Sequence, residues 1–524
     1  MNGCSETFRG SAKTPMADKA TIVLFTHVSN TRSITGAEKL LLFFARELSL
    51  YFNCLLVAPQ EGKLTHQARN SGIQVHLLPI PLLYGMYTPY AGLPEDARQL
   101  QAGSEYRELR QWLENINPAL VITSTCVHVL PAIAAKSLGI PVVWKISETI
   151  TDNEYTSISV DLIHQNSDEI LIISHTAASP FPEYIRASKV ILLPPSWNDA
   201  DFMPEAWSKL RGERRRELHV APAKPLIGYI SSFINKEKGL EHFVSMAVLV
   251  AARHPDSHFL VIGTPGDKSY YERCVRKVKL EGLSSHFHFE GYEECIPAAY
   301  CALDLLVVPS LIREGFGMTA LEGMAFGKPV VAYDSGGLAE ILGAVGCSEY
   351  LVPAGNKEAL ADKVCALLAE PGLAQAVGLY ARERVEAVYG PLAYRARLQG
   401  LAEVWNLRYC LTQAERIAAR QAAAAEALAA AGALAAAEAA ALAQDAAAAG
   451  PVAAPPRRVR RKRRARLRRR KLRRGKLSRA KTRARRGRRH PAAKPRRAGR
   501  KRRSGSARRR KSGKRRASRR RRAA

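Results

Sequence analysis

Two series of short apolar runs constrain this chain more than any other feature. The first comprises TIVLFTHV (21–28), CLLVA (54–58), ALVIT (119–123), PVVWKI (141–146), EILIIS (169–174) and VILLP (190–194). The second comprises LIGYIS (226–231), HFLVIG (258–263), HFHFEG (286–291), DLLVVPS (304–310) and PVVAYD (329–334). The runs are rich in β-branched residues and nearly continuous in apolar character. Helical spacing separates them, as over 36–50. A strand with one wet face alternates, whereas a strand covered on both faces does not, so each series predicts a parallel sheet sandwiched by helices. Two series predict an α/β chain of two doubly wound domains in tandem, with the carboxyl ends of the strands next to a cleft.

The pattern breaks over 195–222, where PPSWNDADFMPEAW and the charged RGERRRE read as a linker. The expected layout is a disordered leader at 1–20, a first domain at 21–208 and a second at 209–390. A closing helix with Trp405 follows at 391–410, then an Ala-rich helix or linker at 411–450 and a disordered Arg/Lys-rich tail at 451–524. Asp199-Ala-Asp201 resembles a metal-binding pair but sits in the linker, where a turn is the better reading. The net charge of +33 belongs to the tail. Forty of the 80 Lys and Arg residues lie in 451–524, which has no Asp or Glu, so 1–450 sets 40 basic against 47 acidic residues, a net of −7. The tail has no aromatic residue and no periodic apolar pattern, so disorder is its default. The nine cysteines form no CxxC pair and, being odd in number, no complete disulfide framework. Residues 1–20 lack an apolar signal core, and Glu426, Glu438 and Asp445 interrupt the Ala-rich stretch. The expectation is a cytoplasmic protein.

Chemistry concentrates in PSLIREGFGMTALEGMAFGKPVVAYDSGGLAEI (309–341). Glu314 and Glu322 stand eight residues apart with Gly315 and Gly317 between them, and Gly336-Gly337 follows the next strand. A glycine turn lets backbone approach a ligand. A helix starting near Met318 or Thr319 offers free N–H groups to an anion such as a diphosphate. The two carboxylates suit sugar and ribose hydroxyls, being acceptors only. Thr319 and Glu322 also fit a capping box, in which Glu322 would merely satisfy the helix start.

The E-x7-E arrangement, the FGMTALEGMAFGKPVVA run and the following GG resemble the donor site of family-4 retaining glycosyltransferases with the GT-B fold. The resemblance spans nearly all of 21–410. It takes in the Gly36-Ala37-Glu38 turn, Lys238-Gly239 and Gly263. It implies two Rossmann-like domains facing a cleft, a nucleotide sugar bound mainly by the second and an acceptor on the first. It also implies retaining transfer with no metal and no cofactor. Glu314 then contacts the donor sugar, Glu322 the ribose and Lys238 the diphosphate. Glu314 and Lys238 are the catalytic candidates, and Gly36, Gly263, Gly315, Phe316, Gly317, Met318 and Thr319 join Lys238, Glu314 and Glu322 as donor-binding candidates. Two positions depart from the family pattern. Phe233 replaces an arginine five residues before the lysine. Lys145 and Ser147, followed by Glu148, stand where a first-domain histidine is usual, which makes Lys145 and Glu148 candidate acceptor contacts. A nucleotide-sugar epimerase or a sugar phosphorylase shares the fold class, but the E-x7-E run argues for transfer.

The expected partners are a nucleotide sugar and an acceptor such as a cell-envelope glycan or glycolipid. For the tail, nucleic acid, an anionic membrane or another polyanion is expected, bound without sequence preference. Membrane attachment would place the chain at the inner face. The alternative is a degenerate transferase fold that acts as a polyanion-binding protein.

Overall fold

The computed structural model describes residues 19–410, apart from 32, 33, 294 and 371, together with helical residues at 425, 428–433 and 436–437. The tail at 451–524 and most of the Ala-rich stretch lie outside the described residues.

Two parallel sheets form the architecture. The first contains β1 (Thr21–Phe25), β2 (Asn53–Ala58), β3 (Gln74–Leu77), β4 (Leu120–Ser124), β5 (Val142–Ile146), β6 (Glu169–Ile172) and β7 (Val190–Leu192), in spatial order β3-β2-β1-β4-β5-β6-β7. The second contains β8 (Leu226–Ile234), β9 (His258–Pro265), β10 (Phe287–Glu290), β11 (Leu305–Val308), β12 (Val330–Asp334) and β13 (Leu351–Pro353), in order β10-β9-β8-β11-β12-β13. Both orders reverse direction beside the first strand of the sheet, as in doubly wound folds. Burial on both faces explains the unbroken apolar runs: Ile22, Val23, Leu24 and Phe25 are all fully buried. Side chains of this kind each contribute roughly 1.5–3 kcal/mol when taken from water.

The stretch read as a linker contains a helix, Trp207–Glu217, packed on the second domain. Its basic residues look solvated by composition, yet Arg211 and Arg215, one turn apart, face the same way. Arg211 donates to the carbonyls of Cys301, Ala302 and Leu303, and Arg215 to those of Ala302 and Ala221. Both pair with Asp304. The two guanidinium groups, with Lys328 Nζ, thus satisfy carbonyls at the end of the helix Ile296–Ala302. Asp199–Asp201 is a short 3-10 turn.

The chain returns to the first domain at its end. The helix Pro391–Trp405 starts with proline, whose missing N–H costs nothing at a first helical position. Tyr394, Leu398, Ala402 and Trp405 pack in one cluster with Ile22, Leu24 and Phe44. Arg395 makes a two-pronged pair with Glu47, at 2.9 and 3.0 Å. The buried Glu169 carboxylate accepts from Trp405 Nε1 at 2.7 Å, from Tyr409 at 3.0 Å and from Arg408. Among the described residues, no single helix is long and apolar enough to cross a membrane.

Candidate functional site

The carboxyl ends of β8 and β11, adjacent strands at the second sheet's reversal point, open onto a cavity of about 500 Å³. Gly36, Ala37, Leu40 and Ser147 line it from the first domain, and Ser231, Ser232, Phe233, Lys238, Ser310 and residues 314–319 from the second. Of the residues singled out in the sequence, Gly36, Lys238, Glu314, Gly315, Phe316, Gly317, Met318 and Thr319 therefore line one cavity. Gly263, Glu322, Lys145 and Glu148 do not line it.

Local sequence explains how each part is held. Thr35 caps the helix Gly36–Leu48 in a full capping box with Glu38, and the buried Glu38 carboxylate also accepts from Asn30 N. The loop before Gly36 is thereby tied down. The β8–β9 register breaks between Ile230 and Phe233, where Ser231 and Ser232 reach the cavity. Gly263 lies behind this break, since a Cβ there would meet Ser231 O at 2.2 Å. Lys238 ends a 3-10 turn and is followed by Gly239 at φ 72°. Its Nζ lies 2.7 Å from Glu314 Oε1, which also accepts from Ser310 Oγ at 2.6 Å. The Lys and Glu side chains are 32% and 17% exposed. So open a pair contributes less than about 1 kcal/mol to stability. Its significance is that both charges are already positioned at the cavity wall.

Glycine also shapes the turn that carries Glu314. Gly337 N donates to Glu314 O at 2.8 Å, and Glu314 and Gly336 form a parallel bridge. The helix Met318–Ala325 starts behind Gly317, with no side-chain cap on its first amides. Thr319 is consequently its second residue, and Glu322 does not close a capping box. The Glu322 carboxyl instead accepts from Tyr300 OH at 2.8 Å; burial raises its pKa, and the Tyr300 bond opposes that shift.

Across the cavity, Lys145 and Glu148 stand behind Ser147. Lys145 Nζ donates to Ser147 Oγ at 3.0 Å, and burial lowers its pKa to about 8 against the pull of the Glu148 charge. Glu148 accepts from Ser147 N at 2.9 Å and from Cys126 N, and burial raises its carboxyl pKa. Next to Cys126, Thr125 adopts φ 70°, a left-handed conformation that β-branched residues avoid. Trp144 Nε1 to Thr125 O, at 2.8 Å, and Thr125 N to Lys145 O, at 2.9 Å, hold it there. Sequence reading named Ser147 only as a departure from the family pattern, and it missed Ser231, Ser232, Ser310 and Thr125. Ser147 and Ser310 follow strand ends, which was the available signal, whereas Ser231 and Ser232 lie within β8 at its register break.

Residues 224–370 match the model of the family described as Glycosyl transferases group 1. The chain is 34% identical over 180 residues to 2-deoxystreptamine N-acetyl-D-glucosaminyltransferase of Streptomyces fradiae, which covers 32% of this chain and 41% of that protein. It is 26% identical over 329 residues to 2-deoxystreptamine glucosyltransferase of Streptomyces kanamyceticus, covering 60% and 83%. Among solved structures, Alr3699/HepE of Anabaena in complex with UDP superposes with a TM-score of 0.60 at 18% identity, covering 74% of this chain and all of that one. Residues 224–370 thus resemble the glycosyl transferases group 1 family, and the chain around them has a two-domain GT-B fold.

Proposed function

We propose that this chain is a retaining, metal-independent glycosyltransferase that moves a sugar from a nucleotide-sugar donor to a hydroxyl-bearing acceptor. One observation carries the reading: Lys238, Glu314 and the uncapped amides at the start of the helix Met318–Ala325 converge on one cavity at the second sheet's reversal point. As the bond from the anomeric carbon to phosphate breaks, charge gathers on the leaving diphosphate. Lys238 and the helix-start amides stabilise that charge. Glu314, displaced from Lys238 by the incoming phosphate, accepts from donor sugar hydroxyls. Gly36 gives the diphosphate room on the first-domain side, and Glu322 is assigned to the ribose. Lys145 and Glu148 shape the acceptor side through Ser147. The names of the Streptomyces relatives and the UDP in the Anabaena structure support a nucleotide donor and a sugar or cyclitol acceptor.

The test is a panel of UDP-, GDP- and ADP-sugars incubated with the full chain and either 2-deoxystreptamine or a lipid-linked saccharide. Glu314→Ala is expected to lower transfer, or donor hydrolysis, by far more than tenfold. Full activity in that variant would remove Glu314 from the site. The Arg/Lys-rich segment carries a second, separable activity in this proposal, binding to polyanions at a cytoplasmic or inner-membrane location. Affinity for duplex DNA or anionic vesicles should then fall steeply with salt and vanish in a chain ending at 450.

A further inference from the structure

The first-domain segment after β6 meets the second domain through a set of hydrogen bonds outside the cavity. Ser174 Oγ donates to the carbonyl of Gly315, in the donor turn itself. Glu340 accepts from His175 N at 2.8 Å, and from both the backbone N–H and the hydroxyl of Thr176. Ser174 and Thr176 are buried. Three donors of one domain thus converge on one carboxylate of the other, and hydrogen bonds to an ionised acceptor are roughly twice as strong as neutral ones.

The position of Glu340 gives this contact its importance. It lies in the first turn of the helix Gly337–Ala344, which opens at Gly336-Gly337. Those glycines are bonded to the backbone of Glu314. Thr176 also packs so closely on Gly336 that a Cβ there would meet Thr176 Cγ2 at 2.9 Å. One short stretch, 336–340, therefore grips the first domain with a side chain and the donor turn with its backbone.

We propose that Glu340 is a positioning residue that latches the two domains together and couples closure of the cleft to the placement of Glu314. The structural part of this inference stands on the hydrogen bonds alone. Its kinetic part rests on the transferase reading.

Hydrogen exchange of the full chain tests the structural part. In Glu340→Ala, exchange should speed up about tenfold at 174–178 and at 313–317, with β2 unchanged. Wild-type exchange at both places would overturn the latch. Thr176→Val removes one donor from the opposite side and should give the same pattern with smaller amplitude. Added to Glu340→Ala it should have little further effect, and full additivity would overturn the proposal. If Glu340→Ala also accelerates exchange in β2, Thr176→Val decides: acceleration confined to 174–178 and 313–317 supports the latch, and none there refutes it. In the transfer assay, Glu340→Ala should raise the donor KM about tenfold with a smaller change in kcat, and Glu340→Gln should restore part of it. An unchanged KM in an active variant would overturn the coupling to Glu314. Absence of transfer in the wild type with every donor would instead defeat the transferase reading and leave the exchange result to judge the latch.

Discussion

Gly239→Ala tests whether the backbone behind Lys238 sets the geometry of the site. Gly239 sits at φ 72°, and a Cβ on it would lie 2.0 Å from Pro309 O and 3.0 Å from Pro309 C. Carbon and oxygen tolerate a contact of about 3.3 Å, so the two segments must part by about 1 Å. The left-handed backbone itself costs alanine roughly 1–2 kcal/mol. Adding the strain of displacing Pro309 gives a stability loss of about 2–4 kcal/mol. The displacement falls between Lys238, which precedes Gly239, and Ser310, which follows Pro309, and both donate to Glu314. A shift of about 1 Å in such a constellation lowers turnover about 100-fold. Urea unfolding followed by tryptophan fluorescence measures the first quantity, and initial transfer rates the second. Gly36→Ala is the control, because its Cβ meets no protein atom within 4 Å. It should leave stability within about 0.5 kcal/mol of wild type while weakening donor binding. Wild-type stability and rate in Gly239→Ala would refute the reasoning.

Lys238→Met should leave the melting temperature nearly unchanged, given the exposure of its pair with Glu314, while lowering kcat by about 10²–10³; a loss under threefold would remove Lys238 from leaving-group stabilisation. Burial lowers the Lys145 pKa to about 8, so between there and its unfolded value near 10.5 the unfolded chain binds more protons, and stability contributed at this position rises with pH across that window. Lys145→Met should flatten that part of the slope in denaturant titrations run from pH 7.5 to 10, and identical slopes in both proteins would refute the shift. Glu169→Gln keeps the size of the side chain but weakens its bonds with Trp405, Tyr409 and Arg408. It should cost about 2 kcal/mol and speed proteolysis of 391–410, and a wild-type digestion rate would show that apolar packing alone holds this helix.

The inner strands of both sheets were legible because unbroken β-branched runs such as ALVIT and DLLVVPS have one physical cause, burial of both faces; the short, partly exposed edge strands β3 and β13 were not. The wall formed by Glu314 and residues 315–319 was legible because a glycine turn leading into a helix start is local. Glu322 was ambiguous, since T-x-x-E fits a capping box equally well, and the helix start at Met318 excludes that box. Arg211 and Arg215 were unreadable for a different reason. Their partners are main-chain carbonyls some 90 residues away, and a carbonyl leaves no mark in a sequence. Glu340 was hidden likewise, because its importance comes from the domain it faces.

The helix Pro391–Trp405 also limits how the two halves can move and be exchanged. The chain passes from the first domain to the second before Trp207 and comes back after Gly390, so two covalent connections join the halves. Any hinge motion of the cleft must therefore bend both connections at once. A chimaera that borrows the first half of a relative must therefore carry two segments across together. Splicing only at the crossing before Trp207 would seat one protein's Trp405 on another's β6.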